Sequence, residues 1–469
     1  MIDKDAVRAN AKYLRNVRPI DPDEIAEYIE GAPHPAIVKQ ALREEAADLR
    51  LREREDGTFV PIEDAPAPLA GWSPDAFPEA YSFAVEDLLI RNYGANWHVG
   101  ESGDRLRTRV RQLKEDYYRG NPVEYDEDAA LGYAIYHLPD YYAAIGYVLD
   151  DLAENDLLPR VLRVLDVGAG TGGPALGLHD YLPDDALVEY HALEPSESAD
   201  VLEHVLSETG LNFRTRITRE TAEAYDPDED ETYDLVLFGN VLSELDDPVA
   251  VVRKYLDVLA DDGSLVALAP ADRNTSMELA EVEREVAPAN GDISVYSPRL
   301  RLWDGYAPSD RGWSFDVKPD LEVPAFQKRL DEGRESDEDE GTFVNVDVQY
   351  AYSILRKDGK RRRDVRASAE RFAKMAEMER HVTNRINLLA VKLSHDLSEG
   401  KNQLFKIGDG SEQVDHYAVL TRETVLNEDL ARADYGDILV FENVLALWND
   451  DEEAYNLVVD DNTIVDRAA

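Results

Sequence analysis

Residues 161–173, VLRVLDVGAGTGG, hold the side chains best spaced to do chemistry. The apolar run Val161 to Val167 meets Gly168, Gly170, Gly172 and Gly173, so a buried strand is delivered into a glycine-rich turn. Glycine tolerates positive φ and lets backbone N–H groups approach a ligand with no Cβ in the way. Asp166 sits in the strand just before the turn, and the next apolar segment, LVEYHALEP, ends on Glu194. A carboxylate at the tip of the second strand of such a sheet holds ribose hydroxyls. Strand, turn, helix and acid-tipped strand predict a nucleoside-binding half-sheet.

Two nucleoside ligands compete for this half-sheet. A dinucleotide fold needs G-x-G-x-x-G with a helix N-terminus facing a pyrophosphate. Here the spacing is Asp166-x-Gly168-x-Gly170-x-Gly172. An acid before the first glycine repels a pyrophosphate, yet reaches a cationic methionine-type ligand through its amino group or through water. The pattern resembles the first motif of the class I S-adenosylmethionine-dependent methyltransferases, which implies S-adenosylmethionine as the bound cofactor. A glycine turn that binds nothing is the competing reading. Ligands of open parallel sheets lie at the carboxyl ends of the strands. That rule adds Glu220 and Phe238 to Asp166, Gly168, Gly170, Gly172 and Glu194 as expected cofactor contacts.

After the fourth strand the chain reads Phe238-Gly239-Asn240-Val241-Leu242-Ser243-Glu244. It lacks the Asn-Pro-Pro-aromatic run of base N-methyltransferases, and with no cysteine it lacks the nucleophile of a cytosine-carbon enzyme. Asn240 and Glu244 are the candidate catalytic groups, able to orient a substrate or accept a proton. A cap or ion pair on the following helix is the structural reading of Glu244. The histidines are scattered without H-E-x-x-H or similar spacing, so no metal site is expected.

The elements that must position these groups follow from patterning. Residues 1–62 show three amphipathic helical segments and an alternating hairpin around Asp56-Gly57, a winged-helix-like module or a packing extension. Residues 63–75 are proline-rich and read as a linker. Residues 76–158 are mostly helical, with Pro139 expected to break two apolar-aromatic segments. Residues 159–375 form the methyltransferase-like domain, whose core 161–272 alternates strand and helix as a parallel sheet does. An Asp262-Gly263 turn is expected to end its last helix, and residues 273–340 read as irregular, with a disordered-looking acidic run at 331–341. Residues 383–469 alternate in short segments around Gly-Asp-Gly, a small antiparallel, OB-like barrel. The fold class is thus α/β, a Rossmann-like sheet between a helical module and a small β-barrel.

Composition bounds the partners. The chain has 469 residues and a formal net charge of −48, from 98 acidic and 50 basic residues. The acids are spread along the whole chain, and 43 % hydrophobic residues suffice for real cores, which argues against a disordered acidic protein. Adaptation to molar intracellular salt, as in halophilic proteins, accounts for such a surface, because screening there shortens to a few ångströms. Net charge then cannot exclude nucleic acid, and local basic patches carry that question. Arg105 and Arg109 lie in one, and Lys357, Lys360, Arg361, Arg362 and Arg363 form the strongest, where contact with a phosphate backbone is expected. No apolar run spans a bilayer and the N-terminus is charged and amphipathic, so a cytoplasmic protein with no membrane partner is expected.

The whole layout resembles the small-ribosomal-subunit methyltransferase-like family, known from a mitochondrial ribosome assembly factor and its prokaryotic relatives. His137, Pro139, Tyr142, Ala143 and Ala144 fall on its R-x-P-x-x-Y-A-A element, His137 standing where that element has arginine. LDVGAGTGG with ALEPSE, YDLVLFGNVLSELDDP and VQYAYSILRK fall on three further segments, and Gly408-Asp409-Gly410 and Tyr435-Gly436-Asp437 give a weaker match. The resemblance spans about residues 75–445. It implies S-adenosylmethionine binding, action on the small ribosomal subunit or its RNA, and a role in subunit assembly and translation. Relatives carry cysteines before the Y-S-Y strand that can hold an iron–sulfur cluster. Here Ser297, Ala307 and Ser314 stand in those contexts, and no cluster is expected. A non-catalytic assembly factor that only binds the cofactor, and a small-molecule methyltransferase, are the alternatives.

Overall fold

The computed structural model describes residues 2–119, 123, 125–228, 231–334 and 340–468. In chain order the first elements are α1 (Lys4–Leu14), α2 (Pro22–Tyr28), α3 (Pro35–Glu44), α4 (Ala46–Leu49), β1 (Leu51–Glu53) and β2 (Phe59–Pro61). Next come α5 (Glu79–Tyr93), α6 (Gly100–Arg119), α7 (Glu127–Ala153), β3 (Val161–Val167), α8 (Gly173–Tyr181), β4 (Leu187–Leu193), α9 (Ser198–Leu206) and β5 (Phe213–Thr218). β6 (Tyr233–Gly239), α10 (Pro248–Asp257), β7 (Leu259–Pro270), α11 (Arg273–Val286), β8 (Ser294–Ser297), β9 (Asp316–Lys318), α12 (Ala325–Glu332) and β10 (Val348–Arg356) follow. The last are β11 (Arg385–Lys392), β12 (Gln403–Gly408), β13 (His416–Leu420), α13 (Asp429–Arg432), β14 (Ile438–Asn449), β15 (Ala454–Val459) and β16 (Ile464–Arg467). Two compact units result: residues 1–235 with 321–346, and residues 236–320 with 347–469.

In the first unit the parallel strands stand in the order β5-β4-β3, with Val164 opposite Tyr190 and Tyr190 opposite Thr215. β3 and β4 are mostly apolar and buried, as strands covered on both faces are, while β5 at the edge carries Arg214, Thr215 and Arg216. The N-terminal helices close on their own core, Val7, Ile25, Val38, Leu42 and Phe59 among them. The hairpin is fixed by Glu53, whose buried carboxylate accepts from Arg43 Nε at 2.6 Å and pairs with Lys39 at 2.7 Å.

Three expectations change in this unit. Residues 63–75 are not a free linker: Trp72 Nε1 donates to the Ala143 carbonyl at 2.9 Å, and its ring fills the space a Cβ on Gly146 would need. Pro139 does not break the helix, and α7 runs unbroken past it. Proline removes the N–H that would bond the carbonyl four residues back. That carbonyl, on Ile135, accepts instead from Gln327 Nε2 of α12 at 2.8 Å. Residues 321–334 are ordered around α12, so the segment 273–340 is not irregular there; residues 335–339 of the acidic run lie outside the described residues.

In the second unit β10 pairs antiparallel with β7, β8 and β9. α11, β8 and β9 again replace the expected irregular stretch. β7 runs straight through Asp262-Gly263, so the helix before it ends at Asp257 and not at that turn. Residues 297–314 are held by hydrogen bonds and ion pairs. Ser314 Oγ lies 2.7 Å from Tyr435 Oη, and Ser297 Oγ 3.2 Å from Tyr352 Oη. Asp310 joins Arg299 at 3.0 Å and Lys406 at 2.6 Å, and Lys406 also joins Asp415 at 2.5 Å, all four buried. The C-terminal strands follow the order β11-β12-β13-β15-β14 and close through β11–β14, a five-stranded barrel with β16 on its side. It is not wholly antiparallel: the chain passes through α13 and β14 before β15 returns beside β13, so β13 and β15 pair parallel.

Candidate functional site

The glycine turn of the first unit has the conformation its sequence predicts. Gly168, Gly170 and Gly172 take φ of 73°, 55° and 96°. Such angles strain any residue with a Cβ. A Cβ on Gly172 would meet Leu202 Cδ1 at 2.7 Å, whereas one on Gly170 would meet nothing within 4 Å. Gly172 is thus glycine for packing, and Gly170 borders open space beside the turn. Gly168 and Ala169 both donate to the Leu193 carbonyl, at 2.9 and 3.0 Å, which locks the turn to the tip of β4.

Asp166 is fully buried. One carboxyl oxygen accepts from the Tyr190 hydroxyl, and Oδ1 meets no hydrogen-bond partner among the described residues. Burial, with the charge of Glu194 adding and the Tyr190 bond opposing, pushes its pKa up to about 7. Once ionised, a carboxyl buried here attracts a cationic group such as an ammonium through its charge. Glu194 is also buried, but its oxygens already hold protein. Oε2 accepts from Gly170 N–H at 2.8 Å, and Oε1 from Ser196 N–H at 3.0 Å and Ser196 Oγ at 2.5 Å. A carboxylate accepts about four hydrogen bonds. The ribose role expected of Glu194 therefore rests on what is left after it has shaped the turn. Glu220 is exposed, just past β5.

The remaining sequence-predicted residues divide. In the second unit, Phe238 is buried with its ring edge-on to Tyr255 at 5.8 Å, so its side chain serves the core. Asn240 takes φ of 62°, a left-handed conformation that asparagine tolerates better than most residues, and its N–H bonds the Leu268 carbonyl at 3.0 Å. Glu244 is exposed on a short 3₁₀ turn. Of the basic residues, Arg105 pairs with Asp128 at 2.9 Å and Arg109 with Asp126 at 3.4 Å, both in the first unit. In the second, Lys357 donates to the Leu259 carbonyl, Lys360 pairs with Asp358 at 3.7 Å, and Arg363 donates to the Arg362 carbonyl at 3.3 Å. Arg362 N–H bonds the Tyr296 carbonyl at 3.0 Å. Arg361 is half-buried, and burial followed by the charge of Arg366 holds its pKa below the ordinary guanidinium value.

Sequence reasoning passed over Tyr190, Ser196, Asp140 and Asn345. The first two were visible only as neighbours of the named acids. Asp140 and Asn345 lie far apart in sequence and meet only in the fold, where Asn345 Nδ2 donates to Asp140 Oδ2 at 3.0 Å.

A methyltransferase-domain model matches residues 165–265. The N-terminal and C-terminal domains of a family described as a domain of unknown function (DUF8157) match residues 4–55 and 376–468. The chain carries a class I S-adenosylmethionine-dependent methyltransferase domain between those two domains. No curated protein matches it. Among solved structures it is similar to the plantazolicin methyltransferase BpumL in complex with SAH, at 10 % identity and TM-score 0.31, covering 59 % of this chain and 99 % of that one. It is also similar to the mitomycin 7-O-methyltransferase MmcR, at 18 % identity and TM-score 0.26, covering 57 % and 75 %. A third is the [4+2]-cyclase SpnF, at 17 % identity and TM-score 0.29, covering 61 % and 99 %. Likenesses at these scores do not bear on substrate. Among the described residues no helix is long and apolar enough to cross a membrane.

Proposed function

We propose that this chain transfers the methyl group of S-adenosylmethionine to a small-molecule acceptor. The observation that carries donor binding is the turn itself: an open cradle at Gly170 beside a buried Asp166 with one unused oxygen. Gly168–Gly172 and Asp166 would hold the donor, with Glu194 fixing the turn's shape. When bound, the donor supplies an activated methyl on a sulfonium. The choice of a small acceptor is supported by the basic side chains expected to meet RNA, most of which already have protein partners. A phosphate backbone would have to displace those partners.

A second reading, methylation or assembly of the small ribosomal subunit, is favoured by one observation. The five-stranded closed barrel has the OB-like form that often takes single-stranded nucleic acid. The test incubates purified protein and methyl-labelled S-adenosylmethionine in molar KCl, once with native small subunits and once with the low-molecular-weight fraction of the same cells. Gly170→Arg is the control, since it puts a strained side chain into the open cradle. Label in the small-molecule fraction, lost in the variant, supports the proposal. Label in ribosomal RNA supports the second reading. Donor binding with label in neither makes the chain a binding factor without transfer.

A further inference from the structure

α7 packs along α8, the helix that leaves the glycine turn. Tyr141 Cβ and the Leu138 carbonyl lie against Gly173, and Ile145 and the Tyr142 carbonyl against Gly177, so α7 and α8 run side by side in the same direction. Residues of α7 just before Leu138, His137 among them, therefore lie at the end of α8 that meets the glycine turn. The segment leading into α7 is pinned on the other side, where Glu197 N–H bonds the Tyr125 carbonyl at 3.4 Å.

His137 is half-buried in a row of aromatic rings. It stacks on Tyr141 with centroids 5.2 Å apart and planes 12° apart, and lies 4.9 Å from Tyr133. Its Nδ1 faces Asp140 Oδ2 at 3.5 Å and Asn345 Nδ2 at 3.4 Å. Asp140 is more than nine-tenths buried, and its Oδ1 has no partner among the described residues. Its placement costs solvation, and sequence patterning alone gives no reason for an acid on the apolar helix. Asn345 holds the pair in place, donating to the Tyr136 carbonyl at 3.1 Å as well as to Asp140. Nε2 of His137 has no partner among the described residues. One ring nitrogen directed at a buried acid and the other left open is the arrangement of an oriented general base.

We propose that His137 is the proton acceptor of the methyl transfer, with Asp140 and Asn345 as its positioning residues. The inference rests on donor binding in the glycine turn. The acceptor's oxygen or nitrogen forms its bond to the methyl carbon, the carbon–sulfur bond breaks with its electron pair left on sulfur, and the acceptor's proton passes to His137 Nε2. Asp140 balances the imidazolium that results.

The first test needs no acceptor. Diethyl pyrocarbonate modification of His137 is followed by peptide mass spectrometry with and without S-adenosylhomocysteine. Protection of His137, with exposed histidines such as His34 unprotected, is expected; equal labelling overturns the proposal. The second test uses methyl transfer from labelled S-adenosylmethionine to the fraction that takes up label above. His137→Ala should slow transfer about 100-fold or more, leave donor affinity within about threefold, and regain rate with added imidazole. Asp140→Asn should slow it less and shift its pH profile. His137→Gln guards against misfolding of the alanine variant. Unchanged transfer in both His137 variants, or a loss of donor affinity that explains the slower rate, overturns the proposal and leaves the proposed function standing. Failure of the unaltered protein to bind the donor, or to transfer methyl at all, overturns both.

Discussion

Replacing Asp166 with asparagine separates fold stability from donor binding. In the folded chain burial pushes this carboxyl up to about 7, against an ordinary value of 3.8. The folded state thus holds the proton more tightly than the unfolded state. The stabilisation this gives is complete below about pH 4 and is lost as pH rises through about 7. At about 1.4 kcal/mol per pH unit the whole effect is about 4 kcal/mol. The lower part of that window coincides with a pI near 4.4, where the protein carries little net charge and precipitates, so the useful range starts near pH 5.5. Between pH 5.5 and 8.5 the unaltered protein should lose about 2 kcal/mol relative to Asp166→Asn. The difference is read by differential scanning calorimetry of both proteins in molar KCl. Calorimetric titration should then show donor affinity rising through pH 7 in the unaltered protein alone, as the charge of an ionised Asp166 attracts the donor's ammonium. 5′-Methylthioadenosine, which lacks the amino-acid arm, should bind both proteins alike. A stability difference that does not change with pH would show that Asp166 ionises normally, and the account of the turn would fail.

Three further outcomes are expected. Gln327→Met should cost about 1–3 kcal/mol in thermal unfolding by orphaning the Ile135 carbonyl, and less in a Pro139→Ala background, where the restored N–H can reach it. Lys406→Met leaves Asp310 and Asp415 buried together and should cost about 3–5 kcal/mol. Against the cost of burial, Lys406 and Arg299 hold the pKa of Asp310 below the carboxylate range; its stabilisation is present above pH 4 and lost on acidification, so the variant's deficit should shrink as pH falls, in urea titrations at several pH values. Gly146→Ala puts a methyl 2.3 Å from Trp72 Cε2 and should expel that ring, seen as a red shift of tryptophan emission with little change in far-UV circular dichroism.

The sequence by itself determined the local geometry of the candidate site. Gly168, Gly170 and Gly172 adopt the positive φ that their spacing predicts, because backbone conformation depends on the residue and its immediate neighbours. The strand-to-turn junction, the acid tip at Glu194 and the Rossmann-like alternation were legible for the same reason: hydrophobic period is a local signal. What only the tertiary structure decided is where polar groups find partners. Pro139 breaks a helix unless another element takes the carbonyl it frees, and Gln327 comes from nearly 200 residues away. Ser297, Ser314, Arg299 and Asp310 have no visible purpose in sequence, because Tyr352, Tyr435 and Lys406 reach them only after the strands pair. The basic segment at 357–363 promised a phosphate contact by composition, yet charge in sequence does not say which cations the fold has already neutralised. Hydrogen bonds and ion pairs between distant residues depend on positions that no local pattern encodes, and His137 with Asp140 and Asn345 is such a case.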